Sequence, residues 1–162
     1  MASDPELSGA IQSLLCQYGQ GFGYLATVRA DGGPRVHPVS PVVTDKGLFC
    51  FIVPSPKRRD LERDGRYALH SFPADDTAAE AYVSGHAAPV TSPELRATLA
   101  RSSHADDQSD WEVFELTIDV AMVAAPGRRA VVWRDSASLP GVVRLRQRRG
   151  TGPCAAAADS VQ

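Results

Sequence analysis

After Gly19 the apolar residues stop recurring at helical spacing and begin to alternate, in short runs cut by turn signals. Upstream of that point, Leu7, Ile11, Leu14, Leu15 and Tyr18 share one helical face. Ser3 and Glu6 have the spacing of a capping box, Pro5 suits the first turn, and Gly19 can end the helix. Downstream, residues 23–29 read as a strand centred on Tyr-Leu-Ala-Thr-Val, followed by the turn tripeptide Asp31-Gly32-Gly33. Residues 34–44 form a second extended segment. Pro38 and Pro41 lack the N–H that a central strand supplies, so this segment belongs at an edge, at a bulge, or where a ligand takes over the hydrogen bonding.

A second turn, Asp45-Lys46-Gly47, leads into the wholly apolar run 48–53, which predicts a buried strand. This hairpin is expected to lay the proline-broken stretch from His37 to Pro41 beside that strand. A short helix over 56–64 follows, with Ser55 as N-cap, Pro56 in the first turn and Gly65 just past the end. Residues 67–72 and 80–91 read as strands and 92–101 as a third helix. In 111–123, Phe114, Leu116, Ile118 and Val120 alternate with Val113, Glu115, Thr117 and Asp119, the pattern of a half-buried strand; 129–134 reads as a seventh. Short strands with few, short helices predict a mainly β barrel with helical decoration.

The 162 residues suit one domain. The pattern fades after about residue 135. Residues 136–162 carry Arg144, Arg146, Arg148 and Arg149 before a Gly/Pro/Ala-rich end and read as a disordered, solvated basic tail. A formal net charge of -2 provides no global basic field for nucleic acid. No stretch is apolar enough to span a bilayer, and the N-terminus has no secretory pattern. Cys16, Cys50 and Cys154 are odd in number, far apart and without a Cys-x-x-Cys pair. That argues against a disulfide framework or a zinc site and makes a reducing cytoplasm the expected location.

The chemistry concentrates in Ser55-Pro56-Lys57-Arg58-Arg59-Asp60. Three cations in the first turn of a helix oppose the positive end of its dipole. An anion would complete the arrangement, with free N–H groups, the Ser55 hydroxyl and the Lys57 ammonium converging on a phosphate. The competing reading is a solvated basic turn paired with Asp60, Glu62 and Asp64. A flat heteroaromatic ring could rest on the broken edge His37-Pro38-Val39-Ser40-Pro41.

Several motifs in order carry a resemblance: Tyr24-Leu25-Ala26-Thr27-Val28, then Asp31-Gly32-Gly33-Pro34-Arg35, then Ser55-x-Lys57-x-x-x-Leu61 and Asp64-Gly65-Arg66-Tyr67-Ala68-Leu69. Residues 21–91, with weaker support to 133, resemble the pyridoxamine 5′-phosphate oxidase-like superfamily of FMN-binding split barrels, which includes deazaflavin-binding branches. The resemblance implies a split β-barrel over 1–135 and a homodimer with cofactor at the interface. It also implies cofactor phosphate on Ser55 and Lys57, and a ring lined by His37, Pro38, Val39, Ser40, Phe51 and Ile52. The chain departs from the vitamin-making oxidases at Pro56, where they carry Arg, and in lacking their C-terminal Arg/His region. Arg58 or Arg59 would then supply the missing charge, Arg59 matching a basic residue of the deazaflavin branch. FMN and the deazaflavin coenzyme F-420 remain alternatives, and pyridoxamine phosphate is not implied as the substrate.

No metal site is expected. Among His37, His70, His86 and His104 no pair has ligand spacing on one helix. Ser40, Ser84 and Ser103 lack a nucleophile-elbow context, and Trp111 and Trp133 read as core, with Trp133 alternatively closing over a partner's cofactor. The expected function is flavin-dependent oxidoreduction of a small-molecule substrate, with the cofactor carrying the chemistry. The alternative is a non-catalytic flavin- or haem-binding carrier or sensor on the same fold.

Overall fold

The computed structural model describes residues 5–72, 78–103, 110–127 and 130–134. The polar loop expected over 104–110 lies mostly outside them, as does the whole of 136–162. Helix α1 (Pro5–Leu15) buries Leu7, Ile11 and Leu15 at i, i+4 and i+8. Helices α2 (Pro56–Arg63) and α3 (Pro93–Ser103) complete the helical complement of the described residues. The eight strands are β1 (Gly23–Val28), β2 (Pro34–Val39), β3 (Pro41–Thr44), β4 (Gly47–Ile52), β5 (Arg66–Ser71), β6 (Glu80–Pro89), β7 (Glu112–Ala124) and β8 (Val131–Arg134). They form one antiparallel sheet in the order β2-β1-β5-β6-β7-β4-β3, with β8 on the far half of β7.

The two ends of this path, β2 and β3, are consecutive in the chain and separated only by Ser40. One residue therefore carries the backbone from one edge of the sheet to the other. The sheet must curl into a barrel, and it stays split there because β2 pairs with β1 and β3 with β4. This corrects the expected hairpin. His37, Pro38 and Val39 lie opposite Leu25, Tyr24 and Gly23 of β1, and only from Pro41, opposite Cys50, does the chain lie along β4. Both prolines sit on edge strands, which tolerate a missing N–H. The single extended segment 34–44 is thus two strands, and the described residues hold eight strands rather than seven. Gly21 passes so close beneath the junction that a Cβ there would lie 2.0 Å from the Pro41 carbonyl oxygen.

β4 is apolar throughout because both its faces are covered. Leu48, Cys50 and Ile52 enter the main barrel core with Leu25, Leu69, Phe114, Leu116 and Ile118, beneath α1. Phe49 and Phe51 turn to a smaller cluster with Val42, Val90, Val113 and Leu99 of α3. The alternation read in β7 holds from Phe114 to Ile118 and then flips, because Ser84 pairs with Val120 but Gly85 with Ile118, leaving Asp119 as the extra residue of a bulge. Ala121 is buried instead of Val120. A Cβ on Gly85 would meet the Thr117 carbonyl oxygen at 2.0 Å, so the bulge needs glycine opposite it. Cys50 is a free buried thiol.

α2 is fastened to the β1–β2 hairpin through one buried carboxylate. Asp60, 4% exposed, accepts from Thr27 Oγ1 of β1 at 3.1 Å and from Arg35 Nε of β2 at 2.7 Å. Arg63 Nη1 adds a bond at 3.3 Å from the same helix. Burial pushes the Asp60 carboxyl up, but the hydrogen bonds from Arg35, Thr27 and Arg63 and the charge of Arg35 outweigh it and hold the group below its ordinary value.

Two outcomes are expected. Gly21→Ala should lower the urea-unfolding free energy by about 1–3 kcal/mol, since the junction must shift to admit a methyl group. Asp60→Ala should cost about 2–4 kcal/mol by the same measurement, because three donors lose a buried acceptor. The Asp60 carboxyl is depressed in the folded state, so its contribution is complete at neutral pH. It fades as pH falls below about 4 toward the folded value, where the unfolded chain has already taken up the proton. An Asp60→Asn protein should therefore show a flatter acid limb in a stability–pH profile than wild type.

Candidate functional site

A cleft of about 400 Å³ opens where the barrel is split. The β2–β3 junction supplies Pro38, Val39, Ser40, Pro41, Val42 and Val43, the segment before β1 supplies Gln20 and Gly21, and the end of β4 supplies Phe51 and Val53. Lys57 reaches it from the first turn of α2, Ser102 and Ser103 from the end of α3, and Trp111 from just before β7. The size and the largely apolar lining with a few polar groups suit a small aromatic ligand.

Local sequence places Lys57. The Ser55 hydroxyl caps α2, donating to the Val53 carbonyl at 2.8 Å and accepting from the Arg58 N–H at 3.4 Å, and Pro56 begins the helix. The helix starts directly after the apolar strand β4, and Lys57 falls at its second position. Burial lowers the Lys57 ammonium from its ordinary value, against a smaller raising influence from Cys50. Burial likewise pushes the Cys50 thiol up to about 12, with Lys57 acting to lower it. Cys50 is therefore a neutral thiol at physiological pH, and among the described residues no carboxylate forms an ion pair with Lys57.

Of the residues singled out in the sequence, Pro38, Val39, Ser40, Phe51 and Lys57 come together in the cleft. His37, Ile52, Ser55, Arg58 and Arg59 are not among its described lining. His37 shares the strand face of Arg35 and Val39, and its Nε2 is buried without a hydrogen-bond partner among the described residues. Ile52 is wholly enclosed in the barrel core. Arg58 turns away to Glu62 Oε1 at 2.8 Å, the Asp110 carbonyl at 3.1 Å and Glu112 Oε2 at 3.6 Å. The hydrogen bond it donates to Glu62 is the largest influence raising its guanidinium further. Arg59 is exposed.

Gln20, Gly21, Ser102, Ser103 and Trp111 enter the cleft without having been singled out for it. The glycines at 19, 21 and 23 signal close backbone approach there, but nothing local to Trp111 distinguishes a cleft wall from a core residue.

The fold resembles several solved structures at low sequence identity. A heme-binding protein from Mycobacterium smegmatis superposes with a TM-score of 0.62 at 21% identity, covering 77% of this chain and 57% of that one. This chain thus spans little more than half the length of the mycobacterial protein. A Clostridium acetobutylicum protein related to general stress protein 26, of the pyridoxinephosphate oxidase family, gives 0.64 at 12% identity, covering 82% and 96%. The heme storage protein HutZ from Vibrio cholerae gives 0.55 at 19% identity, covering 80% and 93%. These likenesses show a common split-barrel fold. No curated protein matches the chain in sequence. Residues 11–135 match the pyridoxamine 5′-phosphate oxidase family, and the chain belongs to that family.

Proposed function

We propose that this protein binds FMN in the split-barrel cleft and acts as a flavin-dependent oxidoreductase. The observation that carries the reading is Lys57, a partly desolvated ammonium in the cleft with no carboxylate ion pair among the described residues. Leaving a cation there is costly unless an anion arrives with the ligand. A flavin phosphate supplies that anion, and the capped start of α2 adds backbone N–H groups and a favourable dipole. The apolar lining from Val39, Val42, Val43, Phe51 and Val53 fits a flat ring system and excludes water from it. When bound, the flavin supplies hydride or electron transfer. The chain's own contribution is to hold the phosphate on Lys57 and orient the ring against Pro38–Ser40. The deazaflavin coenzyme F-420 is the alternative of the same class. A second reading, a heme carrier, draws support from the heme-binding and heme storage proteins that share the fold.

We also propose that the working form is a homodimer. Tyr18, Phe22 and Tyr24 gather round Phe72, with ring centroids 5.9, 6.4 and 5.6 Å from it, and all four are exposed. Val36, 59% exposed, lies on the same outer sheet face, opposite Ala26 and next to Tyr24. Pro38, paired with Tyr24, belongs to both this face and the cleft. A second copy covering the face would enclose the ligand's edge.

Absorbance titration of the purified protein with FMN, F-420 and hemin tests the ligand. FMN should bind saturably, and Lys57→Met should raise its Kd about ten- to a hundredfold, the loss expected for a hydrogen bond to a charged group. The ligand-free Lys57→Met protein should melt no lower than wild type, because the substitution removes a desolvated cation. A Soret band with no flavin binding would favour the carrier reading. With FMN bound, steady reduction of an acceptor by a nicotinamide reductant would identify an enzyme. Sedimentation equilibrium should report a dimer for wild type and a monomer for Tyr24→Glu/Val36→Glu with unchanged circular dichroism.

A further inference from the structure

We infer that Trp111 is the specificity-determining wall of the cleft, and that Arg58, Glu112 and Arg96 are positioning residues that hold it there. The inference rests on the FMN reading and adds the element that selects for a flat heteroaromatic ring.

Three consecutive residues, Asp110, Trp111 and Glu112, are gripped by two arginines from different helices. Arg58 of α2 donates to the Asp110 carbonyl at 3.1 Å. Arg96 of α3 donates through Nη2 to the Trp111 carbonyl at 2.8 Å and through Nη1 to Glu112 Oε1 at 2.6 Å. Arg58 approaches the other Glu112 oxygen at 3.6 Å. Glu112 thus stands between two guanidinium groups, one per oxygen, and the partly buried geometry makes this stronger than a surface pair.

The grip is not explained by packing. Trp111 belongs to neither apolar cluster; it is half-buried and lines the cleft beside Ser102 and Ser103. A bracketed backbone with a large aromatic side chain left at a cavity wall is the arrangement of a pre-positioned contact. The indole offers a ring ligand offset-stacked or edge-to-face contact, which a bulky or non-planar ligand cannot use. Arg58 directly follows Lys57, so the turn that presents the cation to the phosphate end also fixes the wall at the ring end.

The chain has two tryptophans, so Trp133→Phe leaves Trp111 as the sole indole emitter and keeps a ring against the core on which residue 133 packs. In that protein, FMN should quench most of the emission with the same midpoint as the flavin absorbance change. Trp111→Ala in the wild-type background should raise the Kd for FMN about tenfold and leave competition by inorganic phosphate unchanged. Glu112→Gln, in the Trp133→Phe background, should still bind FMN to saturation but with less quenching at saturation. If circular dichroism shows Glu112→Gln unfolded, Arg96→Lys serves for the same reading. FMN binding without a change in Trp111 emission, or with equal affinity in Trp111→Ala, would overturn this inference and leave the FMN site standing. A wild-type protein that binds no FMN would overturn both.

Discussion

The one-residue junction at Ser40 is the constraint on which the rest of the molecule depends. It joins the two edges of the sheet covalently, so the sheet must curl, yet no ladder closes the gap. Backbone groups along an unpaired edge demand partners. Here the gap is flanked by prolines, which reduce the number of donors seeking one, and by Gly21, which lets the preceding segment approach. The cleft is the volume this incomplete closure leaves, and its β2–β3 side is therefore made of main chain and small, mostly apolar side chains.

Charge around α2 is allocated with little left over. Arg35 and Arg63 serve Asp60, Arg66 serves Asp64, and Arg58 serves Glu62 and Glu112. The basic turn that looked like one anion site thus divides: Arg58 ties the helix to the start of β7, Arg59 is exposed, and the Lys57 ammonium is directed into the cleft. A local departure from what stability alone would favour is a common mark of a functional position.

Much of the fold was legible because it is local. The turn tripeptides, the apolar run of β4, the Ser55 cap and the helical face of α1 are each set by neighbours a few residues away. The pairing of residues 34–39 was not, because a strand's edge partner depends on contacts distant in sequence and both candidate partners are apolar. The flip in β7 was hidden for a related reason. A bulge is dictated by the opposing strand, and Gly85 announces it only once β6 and β7 are known to be neighbours. At the site, Lys57 could be read from its misplaced charge. The pairing of Arg58 with Glu62 was within reach of the sequence, but its reach to Asp110 and Glu112 was not, because those acceptors lie more than fifty residues away.

The strand order has a kinetic consequence. β4 and β3 lie early in the chain but pair into the rest of the sheet only through β7, far along it. Loop-closure entropy makes such distant pairing slow relative to hairpin formation. The β3–β4 rim of the cleft is held in register with the β1–β2 rim through this distant ladder. Any small molecule seated there touches both rims, and it acts as a clasp across the split of the barrel.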